Sequence, residues 1–64
     1  MNIGENVRRI RIERGMTQER LAELVNVSHP TICRLEKGVK IPSVMLCYSI
    51  SQVLGCSIAD IVGE

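Results

Sequence analysis

The stretch TQERLAELVNVSHPTICRLEKG, residues 17–38, decides the fold. Thr17 is a good helix N-cap, and the residues after it are mostly strong helix formers with an apolar stripe, so a short helix is predicted at about 18–25. Ser28 is a second N-cap, and a helix is predicted from 29 to 37, with a proline that is tolerated in its first turn. The stretch therefore predicts two short helices joined by a tight turn.

The second of these helices has an inner and an outer side. At about 100° per residue, its apolar side chains fall on one side and its polar and cationic side chains share the other. Two short helices joined by a tight turn, the second with a cationic face, are typical of a helix-turn-helix, whose second helix enters the major groove of DNA. The outer side holds His29, Pro30, Cys33, Arg34 and Lys37.

The side chains at the start of this helix suit the edges of base pairs. Arg34 can donate two hydrogen bonds to O6 and N7 of guanine, and Pro30 offers an apolar contact, for instance to a thymine methyl group. His29 can donate or accept at a base edge or a phosphate. Phosphate oxygens suit the amide and hydroxyl donors at the two helix starts, at Thr17, Gln18 and Ser28.

Capping residues outside this stretch predict three more helices. An Asn followed three places later by Glu predicts a helix at about 3–14. Ser43 can cap a helix that runs to Leu54, and Ser57 can cap a last short helix that ends at Ile61. No convincing alternation with a period of two is found. We therefore expect an all-α class, a compact domain of five helices with short loops.

Composition limits the class of protein. With 64 residues, of which 45% are hydrophobic and 23% charged, we expect one folded domain over residues 1–64. Residues 1–40 hold all eight Lys and Arg, whereas residues 41–64 carry two charges, both acidic. The sequence has no Trp, no Phe and one Tyr, which argues against the base-stacking sheets that bind RNA or single strands.

The cysteines and the lack of a leader indicate the compartment. The three cysteines are an odd number without a CxxC pair, and the sequence has neither a basic-then-apolar leader nor an 18-residue apolar run. We therefore expect a reduced cytoplasmic protein that does not contact a membrane.

Metal binding and catalysis are not indicated. His29 and Cys33 have the spacing of half a zinc site, but two further ligands are missing, so we expect no metal and no cofactor. Cys33 is interpreted as a plain exposed thiol, with a redox-sensitive thiol as the alternative. No nucleophile, base and orienting acid are grouped in the sequence, so we expect no enzyme.

The stretch 17–38 resembles the helix-turn-helix of the phage repressor and Cro family, also called xenobiotic-response-element-like regulators. The likeness extends to IGENVRRIRIERGMTQ before it and IPSVMLCYSISQVLGCSIADI after it, so it covers about residues 3–62. It implies a repressor-like DNA-binding domain and a structural ion pair between Arg11 and Glu36. The base-contacting positions that it implies are Ser28, His29, Pro30 and Arg34, and the phosphate-contacting positions are Gln18, Lys37 and Lys40.

The fourth predicted helix is apolar over most of its circumference. Its inward stripe is predicted to hold Val44, Cys47, Tyr48, Ser51 and Leu54. The other apolar side chains, with those of the last helix, predict a patch that a partner could cover, unless the first and last helices bury it. The patch comprises Met45, Leu46, Ile50, Val53, Ile61 and Val62.

The leading functional hypothesis is sequence-specific binding of double-stranded DNA that regulates transcription, as a repressor on an operator. A homodimer through the patch would set two recognition helices about 34 Å apart and let the protein read a palindromic site. The alternative is a protein-interaction module such as an antitoxin, whose patch binds a protein partner and whose DNA binding is autoregulatory.

Overall fold

The computed structural model describes residues 2–63, and within them it contains five α-helices and no strand. The all-α class is confirmed, and each predicted helix boundary lies within one residue of the observed one. The two ends of the predicted 1–64 domain lie outside the described residues. No helix in the described part of the chain is long and apolar enough to cross a bilayer. The helices are α1 (Ile3–Glu13), α2 (Gln18–Val25), α3 (His29–Glu36), α4 (Val44–Leu54) and α5 (Ile58–Val62).

Each helix begins at a side chain that caps it. In all five, an Asn, Thr or Ser oxygen accepts a hydrogen bond from the backbone N–H three residues later, at 3.0–3.3 Å. Such a cap contributes about 1 kcal/mol, a large share for a chain whose total stability is roughly 3–10 kcal/mol at 0.05–0.15 kcal/mol per residue. The capping residues are Asn2, Thr17, Ser28, Ser43 and Ser57.

The start of α5 is a full capping box. Ser57 accepts from the backbone N–H of Asp60, and the Asp60 carboxylate accepts from the backbone N–H of Ser57, both at 3.1 Å. Hydrogen bonds from the Ser57 backbone and side chain hold the pKa of Asp60 below its ordinary value. This reciprocal pair allows a helix of five residues to begin sharply.

The core is aliphatic and receives side chains from all five helices. α1 packs against α3, α4 and α5, while α2 packs against α3 and α4. As a result α3 is supported on its inner side by two helices and keeps its outer side free. The buried apolar residues are Val7, Ile10, Leu21, Ala22, Ile32, Leu35, Cys47, Ile50, Leu54 and Ile61.

The inward stripe predicted for α4 is partly wrong. Cys47, Ser51 and Leu54 are buried as predicted, but Val44 and Tyr48 are 78% and 51% exposed. The buried side of α4, at positions 47, 50, 51 and 54, belongs to a helix that packs against α1, α2 and α5. Because apolar residues surround this helix, its hydrophobic periodicity does not determine which side packs inward.

The predicted apolar patch is also partly wrong. Ile50 and Ile61 are fully buried in the core, because they lie where α4 and α5 pack against each other and against α1 and α2, so neither belongs to an exposed surface. Leu46, Val53 and Val62 are half-buried. Met45 is 73% exposed and is the one clearly accessible residue of the predicted set.

Candidate nucleic-acid interface

The turn between α2 and α3 takes only three residues. Asn26 ends α2 with a left-handed backbone, φ 62° and ψ 44°, and the next N–H, that of Val27, donates to the carbonyl of Ala22 at 3.0 Å. This αL ending satisfies carbonyls of the last turn of α2. Ser28 then has an extended backbone and caps α3. The two short helices are thus fixed against each other by backbone hydrogen bonds.

The outer side of α3 is open to solvent, as the pattern of residues 29–37 predicts. Its inner side chains, Ile32, Leu35 and Glu36, are buried. We call the outer side the recognition face. Its residues lie on the side of the helix opposite the buried positions, so they project away from the core. The exposed residues of this face are Ser28, His29, Pro30, Arg34 and Lys37, and Cys33 at its centre is half-buried.

A buried ion pair ties the end of α3 to α1. Arg11 donates from Nε to Glu36 Oε2 at 2.6 Å and from Nη2 to Glu36 Oε1 at 3.0 Å. Its third contact runs from Nη1 to the carbonyl of Met16 at 2.7 Å. The residues of the pair are 8% and 6% exposed, so the pair lies largely out of water. The structural ion pair expected between Arg11 and Glu36 is therefore present.

Gln18 continues this network to the recognition face. Its Nε2 donates to Glu36 Oε1 at 2.9 Å, and its Oε1 lies 3.0 Å from Nε2 of His29. We call the sequence of contacts Arg11, Glu36, Gln18 and His29 the polar chain. The amide nitrogen of Gln18 carries a second hydrogen, for which the described residues provide no acceptor.

The cations of the recognition face have no acidic partner. Within residues 2–63 the ion pairs involve Arg9, Arg11, Arg14 and Arg20, all on α1 and α2 or in the turn between them. None involves Arg34 or Lys37, nor Lys40 in the loop that follows α3. These three positive charges are exposed and are available to an anion outside the chain. A polyanion such as DNA satisfies this arrangement.

Comparison with known proteins agrees with this geometry. A family model described as helix-turn-helix matches residues 7–61. The chain belongs to the helix-turn-helix family. Members of this family regulate transcription by binding DNA, and the predicted resemblance to repressors of the phage and Cro type is confirmed.

Three relatives show the range of this helix-turn-helix family. An uncharacterized HTH-type transcriptional regulator of Archaeoglobus fulgidus is 46% identical over 55 residues, 86% of this chain and 79% of that protein. The immunity repressor protein of Bacillus phage phi105 is 34% identical over the whole chain, which spans 44% of the repressor. Antitoxin PezA of Streptococcus pneumoniae is 36% identical over 97% of the chain, which spans 39% of the antitoxin.

Two solved helix-turn-helix structures superpose closely. The clp gene regulator ClgR from Corynebacterium glutamicum matches with a TM-score of 0.92 and 36% identity over 95% of this chain and 65% of that one. The P22 c2 repressor protein, solved in complex with synthetic operator 9T, matches with a TM-score of 0.89 and 26% identity over 100% of this chain and 98% of that one. The five-helix arrangement is therefore that of known helix-turn-helix regulators.

An exposed apolar segment adjoins the helix-turn-helix, and the sequence patterns only partly indicate it. Met45 lies in the predicted patch, whereas Val44 and Tyr48 are placed inward by the periodicity of α4. Val39 and Ile41 lie in the loop after α3, where no helical period defines a face, so their exposure could not be predicted. The apolar segment consists of Val39, Ile41, Val44, Met45 and Tyr48, which are 51–85% exposed.

The cysteines of this helix-turn-helix protein differ in environment. Cys47 is buried in the core and Cys56 packs partly against it, and burial raises the pKa of both thiols. Cys33 is half-buried on the recognition face. In residues 2–63 no group of three or more His, Cys, Asp or Glu side chains is placed to hold a metal ion.

Proposed function

We propose that this protein is a sequence-specific double-stranded DNA-binding regulator that represses transcription by occupying an operator, without catalysis. The observation that carries the proposal is the recognition face of α3, which is exposed and cationic and has no acidic partner on the described part of the chain. A helix of this kind after a tight turn fits the major groove. The cytoplasm, where duplex DNA is accessible, is the compartment that this function implies.

The proposed contacts divide into those that specify sequence and those that position the domain. Base edges are contacted by the first turns of α3, and phosphates by the start of α2 and by the residues that follow the end of α3. The base-contacting residues are Ser28, His29, Pro30 and Arg34, and the phosphate-contacting residues are Thr17, Gln18, Lys37 and Lys40.

Replacing Arg34 should relax sequence preference, whereas replacing Lys37 should not. Arg34→Ala removes a donor to a base edge and should cost about 1–3 kcal/mol on the preferred duplex while flattening the preference at one base pair. Lys37→Ala removes a phosphate contact, so it should weaken all duplexes alike and lower the salt slope by about one. Selection from a random DNA pool and titration at several salt concentrations measure both effects.

The exposed arginine Arg8 on α1 provides the control for this pair of variants. It is exposed and is none of the proposed DNA contacts, so Arg8→Ala should leave the selected sequence unchanged. If the Arg34 and Lys37 variants lost affinity equally for every duplex, or if Arg8→Ala flattened the same base pair, the division of roles would be wrong.

A homodimer is part of the proposal, because one short recognition helix contacts too few base pairs for specific binding. The apolar segment supports it, since its five side chains are exposed and Lys40 is the one charged residue among residues 39–48. A two-fold dimer would set the two recognition helices about 34 Å apart, which requires a palindromic operator.

Replacing Met45 by Glu should dissociate this dimer. The carboxylate would be buried without a partner at the contact, so the dissociation constant measured by sedimentation should rise about tenfold or more. The matched control is Ile12→Glu on α1, an apolar residue that is 51% exposed and lies outside the apolar segment. Equal effects of the two substitutions, or a wild-type monomer at all concentrations that bind DNA, would contradict the proposed dimer.

A protein-interaction function is the second candidate, and the likeness to antitoxin PezA is the observation that favours it. In that case the apolar segment would bind a protein partner, and DNA binding would regulate the protein's own synthesis. The Met45→Glu experiment separates the two candidates. If the wild-type protein is a monomer and Met45→Glu sediments in the same way, the result favours a different partner for this surface.

A further inference from the structure

The polar chain determines which nitrogen of His29 carries a hydrogen. The Glu36 carboxylate, paired with Arg11, only accepts hydrogen bonds, so Gln18 must present its amide nitrogen to it, as the 2.9 Å contact shows. The amide oxygen of Gln18 then faces Nε2 of His29 at 3.0 Å. An amide oxygen also only accepts. Nε2 of His29 is therefore the donor in this contact.

In the neutral imidazole, Nδ1 of His29 is then an acceptor without a partner. In a neutral imidazole one nitrogen donates and the other has a free lone pair. The His29 side chain is exposed, and in the part of the chain that the structure describes its hydrogen bond runs from Nε2 alone. His29 is also the first residue of α3, the end of a recognition helix that meets base edges.

We propose that His29 reads a base with an exocyclic amine, adenine or cytosine, by accepting a hydrogen bond at Nδ1. In the major groove the donors are N6 of adenine and N4 of cytosine, whereas guanine and thymine present acceptors only. Against guanine or thymine, the lone pair of Nδ1 would meet another acceptor and both would stay unpaired. Gln18 is a positioning residue for this contact. The inference rests on the proposed function and names the base class at one position of the operator.

The first experiment locates the base pair that His29 reads. Duplexes are selected from a random pool at about pH 8 with wild-type protein and with His29→Ala. One base pair should be specified in the wild-type selection and lose its preference in the variant, and the adenine or cytosine of that pair is the base whose amine is tested next. The side chain is exposed, so the variant should fold, and its thermal unfolding midpoint checks this.

The second experiment deletes the amine from that base. Purine replaces adenine, or 2-pyrimidinone replaces cytosine, in the selected duplex. Wild-type affinity should fall about five- to tenfold more than the affinity of His29→Ala, because one hydrogen bond is lost only where both partners are present. Comparing the two proteins on the same duplexes cancels the effect of the altered base on the duplex itself.

Gln18→Leu tests the positioning role. The quantity compared is a ratio, the fold-loss of affinity on amine deletion for one protein divided by the fold-loss for His29→Ala. In Gln18→Leu this ratio should fall close to one, because His29 is no longer held in one orientation. A merely structural role would lower affinity for both duplexes alike and leave that ratio unchanged. The control is Glu19→Leu, an exposed neighbour on α2, which should keep the wild-type ratio.

Three other outcomes would overturn the inference. A preference for guanine at the located position, with a loss on 7-deazaguanine seen only in the wild type, would show that His29 donates. A clear consensus in which no position relaxes in His29→Ala would show that His29 reads no base, while leaving the proposed function intact. The absence of any consensus would reject the proposed function and this inference with it.

Discussion

Arg11→Met should lower the free energy of unfolding by about 3–5 kcal/mol, because it leaves the Glu36 carboxylate buried without its cation. Glu36 is 6% exposed, and Gln18 would be its one remaining side-chain partner in the polar chain. Total stability is roughly 3–10 kcal/mol for a chain of this length, so the substitution should remove a large share of it. Urea denaturation followed by circular dichroism measures the change.

Two further variants show that the loss arises from burial rather than from removal of an arginine. Arg20 pairs with Glu23 on the surface of α2, with side chains 58% and 69% exposed, so Arg20→Met should cost less than about 1 kcal/mol. The double variant Arg11→Met with Glu36→Met removes both buried charges and should recover much of the stability. A single Arg11→Met variant as stable as Arg20→Met would contradict this account of the pair.

The consequences of this pair extend to the recognition face. Arg11 holds Glu36 at the end of α3, Glu36 orients Gln18, and Gln18 holds the ring of His29. An arginine on α1 therefore helps to determine the geometry of a side chain that we propose reads DNA. This link depends on three helices packing together.

Local signals predict where each helix begins. A Ser or Thr side chain caps the next turn wherever it precedes a helical run, so Ser28, Ser43 and Ser57 mark their helices within one residue. The exposure of His29 and Arg34 follows equally from the helical period, because positions 32, 35 and 36 on the same helix are buried. The recognition face was therefore predictable from residues 17–38 alone.

Features that depend on tertiary packing could not be predicted in the same way. The orientation of α4 is ambiguous because apolar residues lie on all its sides, so its periodicity predicts an exposed patch that includes Ile50, which the structure buries. The contact between Gln18 and His29 joins residues 11 apart across a turn, and its direction depends on Glu36 and Arg11. No local pattern contains that information.

Gly4→Ala should destabilise the fold by about 3 kcal/mol, although alanine is the better helix former by about 1 kcal/mol. Gly4 lies in the first turn of α1 directly against the end of α3. A Cβ atom at this position would stand 2.3 Å from the carbonyl oxygen of Leu35 and 2.9 Å from that of Glu36. Both atoms belong to the backbone, so the clash cannot be relieved by a change of side-chain rotamer. Thermal or urea unfolding measures the loss.

Gly15→Ala distinguishes this contact from the ordinary cost of replacing glycine. Gly15 has φ +68° and no atom within 4 Å of an added Cβ, so its substitution should cost only the backbone strain of about 1–2 kcal/mol. To accommodate alanine at position 4, α1 must move away from α3, which also lengthens the contacts between Arg11 and Glu36. We therefore expect Gly4→Ala to weaken DNA binding even under conditions where it is folded, whereas Gly15→Ala should bind normally. Equal stability and equal binding of the two variants would show that the close approach of α1 to α3 is not required.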